Sequence, residues 1–392
     1  MTSRLIVNSI RHTGGSADAL TLASDGTCTA NITNNLSNRN LIINGAMQVA
    51  QRGTSSTTSG YGTVDRFQMN YHGTDEAPTQ AQADVAASTT PYTNGFRKSF
   101  KITNGNQTSG AGGDDRVTMI YQVEAQDLAN SGWNYKSSSS NVILSFWCKS
   151  SVAQNFFGFL RSNDVSTRSF AFQTGSLTAD TWTKVTVPIP GNTNVSFDND
   201  NGSGLQIEWT MFRGVNTTGT AGTLNTWVSY SSTEREPDNT STWYTTNDAT
   251  FEITGVQLEV GSVATDFEHR SFGQELALCQ RYCQAIIQYV QHQGIAIGHT
   301  EGTDTCEVVI PFKGTMRATP TFSYTGSNLR IYERGAVIPT VTSIIIERTG
   351  YDAAKMQITV NATDLQNGNA NLFYFYNYPS TPAERLIFSA EL

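Results

Sequence analysis

Short alternations of apolar and polar residues recur along this chain. Val142, Leu144, Phe146 and Cys148 share one parity, as do Val185, Val187 and Ile189, and again Leu205, Ile207, Trp209 and Met211. A period of two puts alternate side chains on one face of a half-buried strand. Turn clusters separate the runs, among them Gly110-Ala111-Gly112-Gly113-Asp114 and Pro190-Gly191-Asn192. Almost no helical period intervenes between Leu41 and Phe267, so this stretch predicts an antiparallel sandwich.

The period changes after the strand-like run Phe251, Ile253, Val256, Leu258 and Val260. A Gly261-Ser262 turn follows, and then Ser271 with Gln274 three residues on, which fits a capping box. Phe272, Leu276, Cys279, Cys283, Ile286 and Val290 fall on one helical face, and Leu278, Tyr282 and Tyr289 on a second. This spacing predicts a helix over 271–292, apolar on two sides and therefore buried between domains or subunits. Beyond it come strand patterns again: Val308-Val309-Ile310, Val341 to Glu347, Met356 with Ile358 and Val360, and the aromatic run Leu372 to Tyr376. At the other end, Leu5, Ile6 and Val7 precede a hairpin pattern, with Leu20 and Leu22, a Ser24-Asp25-Gly26 turn, and Thr27, Thr29 and Ile32. So few apolar residues cannot build a core. The predicted organisation is all-β: a β arm over 1–40, a sandwich over 41–270, a linking helix over 271–292 and a smaller β-sandwich over 293–392.

Composition narrows the function classes. Hydrophobic residues are 38% and charged residues 15%, so Thr, Ser, Asn and Gly carry the polarity, a mixture that suits strands and turns better than a helical enzyme. A net charge of -8 with no run of Lys and Arg argues against nucleic acid as a partner. Cys28, Cys148, Cys279, Cys283 and Cys306 form no metal-type spacing and are expected to be buried free thiols. No secretory apolar region opens the chain, and no apolar run approaches the roughly 20 residues that span a bilayer. Synthesis in a cytosol without membrane insertion is expected, and no metal or cofactor.

Three separated blocks carry a family likeness: Asn35 to Thr54 (NLSNRNLIINGAMQVAQRGT), Val142 to Ala153 (VILSFWCKSSVA) and Val256 to Tyr282 (VQLEVGSVATDFEHRSFGQELALCQRY). Together, and in this order, they resemble the jelly-roll module of tail-fibre and other virion adhesion proteins of tailed bacteriophages, of the marine podovirus type. The resemblance implies a jelly roll similar to carbohydrate-binding modules, which the block Asp180 to Pro190 also fits. It further implies an N-terminal arm that attaches to other phage tail or virion proteins, a homotrimer, a location in the virion, and adhesion to host surface polysaccharide.

Candidate chemistry is sparse. All six tryptophans, at positions 133, 147, 182, 209, 227 and 243, precede residue 244. Sugar rings stack their C–H faces on such side chains. Parity makes Trp209 core and Trp147 outward-facing, and Trp182, just before the Val185/Val187 face, reads as structural. Trp133, Trp227, Trp243 and Tyr244 are the glycan-binding candidates, although an aromatic in a loop also serves to pin that loop. Asp198-Asn199-Asp200-Asn201-Gly202 resembles part of a calcium loop, but Trp209 stands where a bidentate Glu is required, which leaves a solvated Asx turn as the default. Glycoside hydrolysis needs two carboxylates close together, and Glu252, Glu259, Asp266 and Glu268 single out no pair. The five histidines are scattered, and His269 is expected to hydrogen-bond at the domain junction. The expectation is a non-enzymatic receptor-binding tail fibre. The alternatives are a structural virion protein, such as a head fibre, capsid decoration or tail-tip component, and a polysaccharide depolymerase.

Overall fold

In the computed structural model, which describes residues 7–11, 13–14, 20–22, 24, 28–30, 38–164, 167–219, 222–333, 338–377 and 383–392, the period-two parity becomes two sandwiches. The arm is a three-stranded antiparallel sheet of β1 (Ser9–Ile10), β2 (Leu20–Leu22) and β3 (Cys28–Ala30). Leu22 faces Cys28 across the predicted hairpin, while Leu5, Ile6, Asp25, Gly26, Thr27 and Ile32 lie outside the described residues. Ile10 and Leu22 remain 48% and 41% exposed, so this sheet gains little from burial.

The main domain is an antiparallel jelly-roll sandwich of two six-stranded sheets. The first runs in the order β14 (Trp227–Ser229), β11 (Arg168–Ser176), β10 (Asn155–Ser162), β13 (Ser203–Arg213), β8 (Arg116–Glu124), β5 (Phe67–His72). The second runs β12 (Thr183–Pro190), β9 (Asn141–Ser150), β15 (Thr250–Val260), β7 (Lys98–Thr103), β6 (Thr79–Asp84), β4 (Ser55–Ser56). Leu205, Ile207, Trp209 and Met211 point inward from one sheet, and Val142, Leu144, Phe146 and Cys148 from the other. Trp209 meets Phe146 edge to face across the core, with ring centroids 5.7 Å apart. Two short helices, α1 (Thr90–Thr93) and α2 (Ala125–Ala129), lie in connections.

The helix α3 (Phe272–Gln280) begins with the expected capping box: Gln274 N donates to the Ser271 hydroxyl, and Ser271 N to the Gln274 side chain. It is shorter than predicted. Cys283, Ile286 and the residues around them form a strand, β16 (Cys283–Ile287), which pairs with β24 (Arg385–Ser389). An alternating, partly β-branched segment accepts a distant strand partner more readily than a further helical turn. Phe272 and Leu278 also stay 55% and 38% exposed, so the helix is not buried on both sides in the single chain. The second, smaller sandwich joins β16, β24 and β19 (Thr321–Thr325) to a six-stranded sheet. That sheet runs β20 (Leu329–Glu333), β23 (Ala370–Phe375), β17 (Gln293–Thr300), β18 (Thr305–Pro311), β22 (Ala353–Val360), β21 (Val341–Thr349). Its core holds Ile331, Met356, Ile358, Phe373 and Phe388.

The three blocks of the family likeness meet in space. The Asn40 amide oxygen accepts from Leu258 N (3.0 Å) and Ile42 N (2.9 Å), and its NH2 donates to Val256 O (3.2 Å). A Cβ on Gly45 would lie 2.1 Å from Val256 O, so only glycine fits this approach. Glu268 accepts from the Asn38 and Asn40 N–H groups, and Arg270 donates to Asn40 O at 2.6 Å. The second block supplies β9, which pairs with β15 along Val142–Val260 and Leu144–Leu258. Cys148, Cys279, Cys283 and Cys306 are buried free thiols.

A buried polar seam ties the sandwiches together. Arg66, 1% exposed, pairs with Glu391, donates to Gln122 O at 2.6 Å, and lies 3.5 Å from the Tyr282 ring centroid. Arg52 reaches the same Glu391 at 3.2 Å. Gln51 donates to Cys283 O at 2.6 Å, and Arg281 on the helix cap pairs with Glu124 of β8 at 2.8 Å. Replacing Arg66 by Ala leaves Glu391 facing only Arg52 and opens a void between two tyrosines. The expected cost is about 3–5 kcal/mol, read as a lower midpoint in denaturant unfolding; a loss below about 1 kcal/mol would contradict this role.

Candidate functional site on the outer faces of the jelly roll

The four glycan-binding candidates are core residues. Trp133 is 3% exposed, donates from Nε1 to Ser140 O (3.0 Å) and packs against Phe197 and Tyr135. Trp227 is 9% exposed and donates to Pro190 O at 2.7 Å. Trp243 and Tyr244 are fully buried. Tyr244 stacks on Phe212 with centroids 4.5 Å apart and donates its hydroxyl to Asp115 at 3.1 Å; burial and that carboxylate push the phenol well up. Trp133, Trp243 and Tyr244 pin polar loops onto the sandwich and Trp227 packs from the edge strand β14 against Phe170, and a ring covered on both faces has none left for a sugar. These residues therefore do not form a binding surface.

The two other tryptophans behave differently. Trp147 lies half-buried on the outer face of its sheet, as its parity predicts. Trp182, expected to be structural, is half-buried on the same face, because it precedes β12 in register with Lys149 and not with the inward parity of Val185. The register places Lys184 opposite Trp147, Thr254 on its other side, Glu252 opposite Lys149 and Lys101 beyond. Lys149 Nζ sits 5.2 Å from the Trp182 ring centroid and 3.0 Å from Glu252 Oε1, while Ser99 donates to Glu252 Oε2 at 2.8 Å. Two half-buried indoles thus share one sheet face with ammonium and carboxylate groups: exposed ring surface takes apolar C–H groups, and charged groups take hydroxyls.

A cleft of about 560 Å³ lies where the sandwiches meet, lined by residues including Gln51, Phe272, Leu276, Ile286, Phe312 and Phe388. No Asp or Glu lines it. Three carboxylate pairs share a guanidinium instead: Glu208 and Glu236 on Arg213, Asp65 and Glu391 on Arg52, Glu268 and Glu275 on Arg270. All sit within the protein's own ion-pair networks. His269, expected to hydrogen-bond at the domain junction, instead bonds within the jelly roll, its Nε2 lying 2.9 Å from Asn94 O and its ring against Phe96 and Phe267. In the acidic loop Asp200 accepts from Gly202 N at 2.8 Å, an Asx turn, and Asn201 exchanges hydrogen bonds with the backbone and side chain of Arg317 in the second sandwich. The loop thus acts as a strap. Among the described residues no cluster of three His, Cys, Asp or Glu is placed to hold a metal ion, and no helix is long and apolar enough to cross a membrane.

No protein-family model and no curated protein matches the chain. Solved structures with a detectable likeness include the N-terminal cellulose-binding domain of Cellulomonas fimi β-1,4-glucanase C, at 8% identity over 55% of this chain and 99% of that one, TM-score 0.26. The CBM22-1 xylan-binding domain of Paenibacillus barcinonensis Xyn10C aligns at 10% identity over 57% of this chain and 96% of that one, TM-score 0.26. The tandem CBM22-1-CBM22-2 domain of the same protein aligns at 11% over 82% and 93%, TM-score 0.25. Likeness at these scores carries no argument.

Glu236 provides a test of the buried charges. Burial pushes its carboxyl up to about 7, with Arg213 pulling partly the other way. The folded protein then holds the proton more tightly than the unfolded chain, so this contribution to stability is present below the ordinary value of 4.5 and is lost as pH rises through about 7. Glu236→Gln removes that titration. The melting temperature of the wild type should fall relative to the variant between about pH 4.5 and about pH 7 and level off above. A difference independent of pH would refute the assignment.

Proposed function

We propose that the chain is a non-catalytic adhesion protein of a tailed-phage virion, a tail fibre or receptor-binding protein. In this reading residues 1–40 attach it to other virion proteins, the jelly roll contacts host surface glycan, and the second sandwich lies distally. The observation that carries glycan adhesion is the Trp147–Trp182 pair: two indoles left half-exposed on one open sheet face while the other four are consumed by the core. The family likeness supports the virion setting.

A second reading, a structural virion protein without receptor activity, is favoured by one observation: the first and third blocks of the likeness are bound to each other through Asn40, Gly45, Glu268 and Arg270 and form an internal joint. The double variant Trp147→Ala/Trp182→Ala separates the two. Adhesion predicts roughly tenfold or greater loss of binding to host cells or host glycan, with a melting temperature close to wild type because neither ring is in the core. Wild-type adsorption by this variant, or no binding of host glycan by the full chain, would leave only the structural reading. Release of reducing sugar from host envelope would instead reveal a depolymerase.

Homotrimerisation fits a fibre, and the exposed Phe272 and Leu278 of α3 give it an apolar contact surface. Weak single sites would then act through multivalency. Sedimentation equilibrium should return three times the chain mass at micromolar concentration; a stable monomer there would exclude the trimer.

A further inference from the structure

The opposite face of the jelly roll gathers guanidinium groups from distant parts of the chain. On the outer side of the first sheet, Arg161 of β10 lies opposite Ser169 of β11 and Gln206 of β13, and Arg213 of β13 lies opposite Arg116 of β8. The connection after β14 brings Tyr230 and Arg235 over this face. The Arg161 guanidinium carbon lies 4.0 Å from the Tyr230 ring centroid and that of Arg235 5.8 Å from it.

Four guanidiniums here stand near three carboxylates: Glu208 and Glu236 are taken by Arg213, and Asp114 acts on Arg116 while accepting from Asn216. Arg116 has the amide oxygen of Asn70 as a partner, at 2.9 Å. Among the described residues neither Arg161 nor Arg235 forms an ion pair, and the Nε of each is buried without a hydrogen-bond acceptor. Arg213, only 1% exposed, has a buried Nη1 with no acceptor, and the buried Ser169 hydroxyl has no partner either. Burial, and then repulsion from Arg213 and Arg235, pulls the Arg116 guanidinium down. Glu236, held up to about 7, compensates less than a full charge near neutrality. In a chain of net charge -8, positive charge has been concentrated on one sheet face and left short of acceptors. With each Nε enclosed, the Nη groups are the donors turned toward a ligand; such a planar pair matches an oxyanion with two acceptor oxygens, and the Tyr230 ring lies beside both guanidiniums.

We propose that this face binds an acidic saccharide, its carboxylate or sulfate group taken by Arg161 and Arg235 and its hydroxyls by neighbours such as Gln206. The proposal rests on the glycan-adhesion reading above and names the ligand class. A saccharide is favoured over nucleic acid because the face is a local island in an acidic protein: it offers few phosphate contacts, and a long polyanion would be repelled around it.

Titration calorimetry on the full chain, with trigalacturonate and a chondroitin sulfate tetrasaccharide as acidic probes and galactotriose as the neutral one, tests this. At least one acidic probe should bind roughly tenfold or more tightly than galactotriose, and its affinity should fall as salt rises from about 50 to about 200 mM. Arg161→Gln/Arg235→Gln should lose that preference, whereas Trp147→Ala/Trp182→Ala should keep it. If the Gln variant melts early, Arg161→Lys/Arg235→Lys decides, since it keeps the charge, loses the fork and should bind several-fold more weakly than wild type. The proposal is overturned by equal affinity for acidic and neutral probes, by no acidic binding up to millimolar, or by wild-type affinity in the variants that fold. It is equally overturned if inorganic sulfate competes at the same concentration as the sugar, which makes the face an adventitious ion site only, or if a single-stranded oligonucleotide binds more tightly than either acidic probe. Failure here with Trp147/Trp182-dependent adsorption intact removes this site and leaves the adhesion reading standing.

Discussion

A single buried cation, Arg66, fixes how the two halves of the molecule sit. Its guanidinium is closed off between the rings of Tyr121 and Tyr282, and its two terminal nitrogens are met by Glu391 and by Gln122 O. Gln122 O comes from the jelly roll, Tyr282 from the segment after the helix, and Glu391 from the end of the second sandwich. No one of these three groups can shift without stranding charge in a low-dielectric site. A buried ion pair of this kind adds little net stability over an apolar replacement, but it penalises any other relative placement of its partners heavily. The seam therefore specifies geometry more than it supplies free energy.

That geometry explains why the family likeness falls where it does. The blocks at Asn35 to Thr54 and Val256 to Tyr282 are rich in groups whose positions are set by backbone contacts: Asn40 read by Leu258 and Val256, Gly45 pressed against Val256 O, Glu268 holding two consecutive stretches of N–H. Such residues tolerate few alternatives because each satisfies a buried donor or acceptor. Surface loops and outer faces carry no such constraint. The same division puts Trp182, Arg161 and Arg235 on sheet faces outside the blocks, while Trp147 and Lys149 are the outward-facing positions of the second block.

Much of the fold was legible from period alone. The inward sets Leu205/Ile207/Trp209/Met211 and Val142/Leu144/Phe146/Cys148 need only the pleat, and the Ser271–Gln274 capping box needs only local geometry. The helix was overextended because Cys279, Cys283 and Ile286 fit 3.6-residue spacing while Cys283 to Ile287 also fit strand alternation; the deciding partner, β24, lies about a hundred residues away. The four aromatic candidates failed for a related reason. Trp133 and Trp243 sit among Asn, Ser, Thr and Gly, so their neighbourhoods look wet, yet burial of a loop ring depends on where the loop lands. Trp182 erred the other way, since its facing is set by register with Lys149 and not by the strand that follows it.

The arginine face had no linear trace at all. Arg116, Arg161, Arg213 and Arg235 are spread over more than a hundred residues, and no window of the sequence is basic. Antiparallel pairing of β8, β13 and β10 brings three of them to one surface, and the return of the chain past Tyr230 adds the fourth. Net charge is therefore a poor guide to the local field of a β-sandwich: neighbours across the sheet are about 5 Å apart whatever their sequence separation. At that spacing like charges with low-dielectric protein on one side repel appreciably, and the chain offsets that repulsion with Glu208 and Glu236 on Arg213 and with the Tyr230 ring beside Arg161 and Arg235.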